Sequence, residues 1–372
     1  MSRPAPAVVG MPLAEVDTPA LVLDLDAFER NLECMMASVA GRGVRVRPHA
    51  KTHKCPEVAL RQAALGAVGQ CCQKVSEAEA MVEGGIKDVL VSNEVVGAVK
   101  IARLARLAKR ATIGVCVDDA GNVADLQSAA ARAKVTLEVY VELEVGMKRC
   151  GVQPGEPALE LARAIEAAPN LRFSGLQAYN GRAQHVRTMA ERRALIEHAA
   201  GAANRTRRMI EAAGIDCPRV TGAGSGTFMF EVESGVYDEI QPGSYAFMDH
   251  DYAKNEWAAP LPRFEHSLFV LATVMSRPNP GTAILDAGLK ASSVDTGMPM
   301  VWERPGLNYV LASDEHGFVE IAEGAAAPAL GEKLYLVPGH CDPTINLYDW
   351  YVCVRGGKVE ALWPITARGA LT

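Results

Sequence analysis

Up to about Thr221 the chain alternates short apolar runs with stretches of helical periodicity eight times. That rhythm leaves few folds open, because parallel strands joined by helical crossovers must be covered on both faces. The apolar runs fall at 20–24, 44–47, 68–73, 88–92, 112–117, 135–145, 173–179 and 219–221. Helical patterns follow them: one capped by Asp26 and running to about Val39, then 56–65, then one opened by the capping box Ser76–Glu79. Further ones cover 95–109, 119–134, 157–168 and 184–213. Eight such units predict an α/β fold, an N-terminal (β/α)8 TIM-like barrel, with an open doubly wound sheet as the competitor. Beyond Tyr245 the texture changes. Short alternating strands at 267–275, 282–286, 308–312, 317–321, 333–337, 350–355 and 358–362 have little helical pattern between them, which predicts a smaller C-terminal all-β domain.

A formal net charge of −6 gives no electrostatic case for nucleic acid or an anionic membrane. No apolar run reaches the length of a membrane span, and the first residues lack a basic region followed by an apolar segment. The nine cysteines include one adjacent pair, Cys71-Cys72, and no CxxC motif. Reduced thiols and a cytoplasmic location are therefore expected.

In a barrel of this kind chemistry gathers on the loops after the strands. The stretch 44–54, VRVRPHAKTHK, ends a strand at Pro48 and then sets His49, Lys51, His53 and Lys54 together. Crowding by positive charge disfavours an ammonium, so Lys51 is expected as an amine near neutral pH, suited to a Schiff base. A solvated basic turn is the alternative. Arg149 in GMKRCGV, Tyr179 in QAYNG and the loop GAGSGT at 222–227 would meet Lys51 at one mouth. Unblocked N–H groups and the Ser225 and Thr227 hydroxyls in that loop suit a phosphate. His49 and His53 are each open as base, ligand or packing. In the second domain PGHCDPT follows the strand at 333–337. In an extended segment His340 and Asp342 would share a face, with Cys341 turned away, as a sparse site for a divalent cation.

Lys51, Arg149, Tyr179, GAGSGT and PGHCDPT in this order resemble the D-threonine aldolase family. Its members are pyridoxal-phosphate enzymes of alanine-racemase-like fold, related to D-serine and D-threo-3-hydroxyaspartate dehydratases. The resemblance runs from about Asp17 to Trp363. It implies a barrel over 17–250 and a β domain over 251–372 joined by roughly 1–16, in a homodimer. It further implies pyridoxal phosphate held by Lys51, with Tyr179 beside it and Arg149 facing the pyridine nitrogen. Gly224, Ser225, Gly226 and Thr227 would bind its phosphate, and Thr221 and Tyr245 would also belong to the cofactor site. His340 and Asp342 would bind a divalent metal, manganese favoured over cobalt, magnesium or zinc, since the dehydratases carry His-x-Cys where this chain has Asp342. The implied reaction is retro-aldol cleavage of a D-β-hydroxy-α-amino acid, such as D-threonine or D-allo-threonine, to glycine and an aldehyde. Lys51, His49, His53 and Tyr179 are its candidate catalytic groups. A zinc-dependent dehydratase and a non-catalytic cofactor carrier are the competing readings.

Overall fold

A strand buried on both faces opens the chain. In the computed structural model, which describes residues 4–372, β1 (Ala20–Asp24) leads into α1 (Leu25–Val39). The part of the expected 1–16 segment at residues 1–3 lies outside the described residues. Eight parallel strands come next: β2 (Arg45–Val46), β3 (Gln70–Cys72), β4 (Asp88–Glu94), β5 (Thr112–Val117), β6 (Leu137–Glu142), β7 (Leu171–Ala178), β8 (Val220–Gly222) and β9 (Glu239–Ile240). Between them lie α2 (Ala50–His53), α3 (Pro56–Ala64), α4 (Val75–Glu83), α5 (Ala98–Leu107), α6 (Ala120–Ala133), α7 (Glu156–Glu166), α8 (Met189–Ala212) and α9 (Phe228–Glu233).

The sheet runs β2-β9-β8-β7-β6-β5-β4-β3. Its two ends join through Val68 N–H to Val46 O (2.9 Å), Cys71 N–H to Pro48 O (2.8 Å) and a parallel bridge from His49 to Cys71. Strand alternation then sorts the side chains. Val89, Val91, Ile113, Val115, Val139 and Val141 face the helices, while Leu90, Cys116 and Tyr140 turn inward with Cys71. Gly114 belongs to the inner set, where an added Cβ would lie 2.9 Å from Leu90 Cδ1.

Two corrections to the expected barrel follow. The run at 20–24 is not a barrel strand: β1 lies between two strands of the second sheet. The strand that completes the barrel is β9, which carries an inward glutamate and so gives no apolar signal. Glu239 is fully buried and meets Arg47 Nε at 2.7 Å, while Arg47 Nη1 meets Asp88 at 2.7 Å. At helix starts, Asp24 rather than Asp26 caps α1. Ser76 is not the cap of α4; Glu77 instead reaches back to accept the Gln73 N–H at 2.7 Å. The stretch expected as one helix from 184 is a 3-10 turn (Gly181–His185) followed by α8, capped by Thr188.

After α10 (His250–Ala253) come β10 (Leu268–Asn279), β11 (Thr282–Leu285), β12 (Met300–Val301), β13 (Leu307–Ala312), β14 (Gly317–Ile321) and β15 (Lys333–Val337). Then α11 (Cys341–Ile345) precedes β16 (Trp350–Arg355) and β17 (Lys358–Pro364). Their sheet runs β13-β14-β11-β10-β1-β16-β17, with β15 also on β10 and β12 on β15. β1 pairs antiparallel to β10 (Ala20 opposite Leu271) and parallel to β16 (Val22 opposite Val352). Ala20 and Val22 pack outward with Leu271 and Val352, whereas Leu21 and Leu23 face the core shared with α1 and Phe247. Among the described residues no helix is long and apolar enough to cross a membrane, and all nine cysteines are free.

Removing one partner of a buried ion pair leaves an uncompensated charge, which costs about 3–5 kcal/mol. Arg45 stays 2.9 Å from Glu239, so Arg47→Met is expected to destabilise the protein by up to that amount, read from the unfolding midpoint. Adding Glu239→Gln should recover most of the loss.

Candidate active site

A cavity of about 640 Å³ opens where the barrel strands end. The one-turn helix α2 follows β2 and packs against α11 of the β domain. This contact brings the Lys51 ammonium into an ion pair with Asp342. Lys51 opens into the cavity, its side chain 40% exposed, while Asp342 is 12% exposed. Burial disfavours the ammonium, but the Asp342 carboxylate outweighs it and holds the Lys51 pKa above its ordinary value. The expected neutral amine is thereby corrected, because the charge that decides comes from the other domain. Burial likewise opposes the Asp342 anion, yet Lys51 and His340 hold that carboxyl down at about 2.

Both histidines of the motif are buried and spent on local contacts. His49 caps α2, its Nδ1 accepting the Lys51 N–H at 3.3 Å, while Nε2 meets the Gln73 side-chain amide at 3.0 Å and Ser92 Oγ at 3.3 Å. Burial, then Lys51, holds its pKa well below the ordinary value. His53 lies outside the cavity lining. Its Nδ1 accepts the Cys55 N–H at 3.1 Å, its Nε2 donates to Gln70 at 3.3 Å, and burial holds its pKa near 4.

The loop after β8 divides into two halves. Gly224 and Ser225 line the cavity, and among the described residues their N–H groups donate to no protein acceptor. The Gly226 N–H is taken by Gln184 Oε1 (2.9 Å), and the Thr227 hydroxyl donates to Glu231 (2.8 Å) while accepting from Gln184 (2.8 Å). At Gly224 an added Cβ would lie 2.6 Å from Gln184 Oε1. Gly243 and Ser244, after β9, complete the cradle from the other side. This ring of free N–H groups in a cavity with a lysine suits a phosphate-bearing aldehyde such as pyridoxal phosphate. Thr221 and Tyr245, the other two residues expected at the cofactor site, turn their hydroxyls to protein partners. Thr221 turns into the barrel, accepting from Gln241 at 2.8 Å, and the buried Tyr245 hydroxyl accepts from Gln62 at 3.1 Å.

Arg149 and Tyr179 line the same cavity, the guanidinium 5.9 Å from the centre of the ring. The turn that presents Arg149 is tied by Glu144 Oε1, which accepts the N–H of Gly146 (2.8 Å) and Lys148 (2.7 Å). Burial pushes the Tyr179 phenol up. Behind Arg149, at 3.7 Å, is Glu142, whose carboxyl is pushed up to about 8 by burial and then by Glu94.

His340 and Asp342 are related by a helix start rather than by the extended spacing expected. His340 is the extended residue before α11, Asp342 lies in its first turn, and Cys341 is fully buried. His340 Nδ1 donates to Asp295 at 2.8 Å, which leaves Nε2 for a ligand. Asp342 Oδ1 is buried and, among the described residues, has no hydrogen-bond partner. An imidazole nitrogen, an orphaned carboxylate oxygen and the acids Asp249 and Asp295 nearby suit a divalent cation.

One residue of the cavity wall escaped the sequence reading. His185 Nδ1 donates to Asp251 at 2.6 Å, and its ring is tilted against Tyr252. Its segment reads as the beginning of a long helix, so nothing in the periodicity sets it apart.

The family profile of the alanine racemase N-terminal domain matches residues 23–251, and that of a serine dehydratase domain matches residues 267–354. A D-threonine aldolase of Arthrobacter sp. is 52% identical over 369 residues, 99% of this chain and 97% of the relative. A 3-hydroxy-D-aspartate aldolase of Paracoccus denitrificans is 49% identical, covering 98% of this chain and 95% of its own. The crystal structure of D-threonine aldolase from Filomicrobium marinum superimposes with a TM-score of 0.97 at 53% identity, covering 99% of this chain and all of that one. A D-threo-3-hydroxyaspartate dehydratase of Delftia sp. is more distant, 28% identical over 96% of this chain and 97% of its own.

Beneath the cradle, Glu231 is buried and pushed up to about 8, chiefly by burial. A carboxyl raised by folding stabilises the native state below its unfolded pKa, and that contribution is lost as pH rises toward the folded value. Glu231→Gln is expected to match the parent protein near pH 4.5 and to melt a few degrees higher at pH 8. Calorimetry across that window would expose a flat difference if the carboxyl were charged throughout.

Proposed function

The chain belongs to the D-threonine aldolase family, and from that premise we propose a pyridoxal-phosphate- and metal-dependent lyase. It cleaves D-β-hydroxy-α-amino acids, D-threonine and D-allo-threonine among them, to glycine and an aldehyde. The observation that carries this reading is the contact between Lys51 of the barrel and Asp342 of the β domain. It joins the amine that would hold the cofactor to the carboxylate that would hold the cation.

In this reading Lys51 holds the cofactor, the loops at Gly224, Ser225, Gly243 and Ser244 take its phosphate, and Arg149 takes its ring nitrogen. Arg149, always charged, keeps that nitrogen unprotonated. His340 and Asp342 hold the cation, with manganese favoured by the hard oxygen of Asp342. When bound, the cofactor accepts the electron pair of the broken Cα–Cβ bond and the cation lowers the pKa of the substrate β-hydroxyl. His185, fixed through Nδ1 by Asp251, presents Nε2 to receive that proton. His49 stays neutral and sets the first turn of α2, so the base of the Lys51 side chain is fixed without adding charge. Asp295 turns His340 toward the cation.

A product assay on D-threonine with manganese tests this. Glycine and acetaldehyde are expected, abolished by EDTA and by Asp342→Ala. A 2-oxo acid with ammonia would assign a dehydratase, and a yellow protein without turnover a carrier.

A second substrate has its own support. Lys74 and Arg182 line the cavity, and among the described residues neither is paired with a carboxylate. Both suit the extra carboxylate of 3-hydroxy-D-aspartate, the substrate named for the Paracoccus relative. A hydrogen bond to a charged group is worth about 1.5–3 kcal/mol. Arg182→Ala should therefore lower kcat/KM for 3-hydroxy-D-aspartate by roughly tenfold or more and leave D-threonine little changed. Equal losses on the two substrates would remove this second reading.

A further inference from the structure

Three neighbouring strand ends bring acids together on the side of Arg149 away from the cavity. Glu94 ends β4, Asp118 follows β5, Glu142 ends β6, and Cys150 lies in the loop that carries Arg149. One oxygen of Glu94, one of Asp118 and the Cys150 sulfur all lie within 4.8 Å of one another. Both Glu94 oxygens are buried, and among the described residues they meet no partner outside the cluster, only Glu142 and Cys150.

Glu142 supplies an independent observation. Its side chain is only 6% exposed, and among the described residues its buried Oε2 meets no group outside the cluster, the Glu94 carboxyl being its one contact there. The nearest cation, Arg149, is 3.7 Å from the other oxygen. Asp118 uses Oδ2 to accept the Gly151 N–H at 3.0 Å, so the same acid anchors the Arg149 loop. Three carboxylates thus face one guanidinium. Buried anions without partners are costly, and carboxylates converging from separate elements are what a hard cation neutralises. Three of the four groups offer carboxylate oxygen, the donor a hard cation takes.

We propose that Glu94, Asp118 and Glu142 bind a second divalent cation, of the hard, oxygen-seeking kind, distinct from the one assigned to His340 and Asp342. Such a cation would neutralise Glu142 and release Arg149 to face the cavity. It would also brace the loop through Asp118. The competing account is a proton shared between Glu94 and Glu142, which would bind no metal.

The test uses the cofactor-loaded protein, stripped with chelator and titrated with manganese while free Mn²⁺ is followed by electron paramagnetic resonance. Two sites are expected per chain, and one in His340→Ala/Asp342→Ala. In that background Glu94→Gln and Asp118→Asn should each abolish the remaining site or weaken it at least about tenfold. Either variant alone suffices if the other fails to fold. No binding in the double-variant background overturns the proposal, as does a remaining site that both acid substitutions leave unmoved. The readout is binding, so it stands apart from whether the protein cleaves D-threonine.

Discussion

The ion pair between Lys51 and Asp342 is where the two halves of the molecule meet chemically. Its worth lies in placement more than in stability, because Lys51 is well exposed and water screens the attraction. What it fixes is relative position. α2 and α11 are too short to stand alone, and each is set by the other. Lys51 takes Oδ2 of Asp342 and, among the described residues, leaves Oδ1, the oxygen a cation would seek, without a partner. An amine engaged elsewhere would free Oδ2 as well.

The barrel interior explains why such a site is affordable in this fold. Its middle is apolar, with Leu90, Cys116 and Tyr140, but acids and bases occupy the layers on either side. Arg47 and Glu239 pair at one level, and Glu142, Gln177 and Gln241 lie toward the mouth. Helices bury the outer faces of the strands against valine and isoleucine, and that outer shell supplies most of the apolar burial. The inner layers are thereby free to carry charge.

Much of this was legible in the chain. Strands β2 to β8 are set by alternating or apolar runs between helical stretches, and the residues after them, Lys51, Arg149 and Tyr179, gather at one mouth for the reason the barrel dictates. What was hidden has physical causes. β9 is two residues long and points a glutamate inward. α2 and α11 span four and five residues, too few to show a period. β1 is apolar on both faces, which fits a barrel strand and a central strand of a mixed sheet equally well. The charge state of Lys51 was misread because its basic neighbours are adjacent in sequence, whereas Asp342 is 291 residues away. Glu94, Asp118 and Glu142 each look like an ordinary polar strand end until closure of the barrel groups them.

The position of β1 bears on how the protein is made. On a ribosome, β1 emerges before the whole barrel, yet its two neighbours, Leu271 and Val352, arrive long afterwards. At about 5–20 residues per second the wait is on the order of half a minute. Throughout it a strand of alanine, leucine and valine has no sheet to join, while the barrel behind it can already close. A nascent chain halted before β16 would hold Lys51 and Arg149 but lack the parallel partner of its own first strand. The meeting of Lys51 with Asp342 therefore waits on the β domain, and β1 stays without its sheet until then.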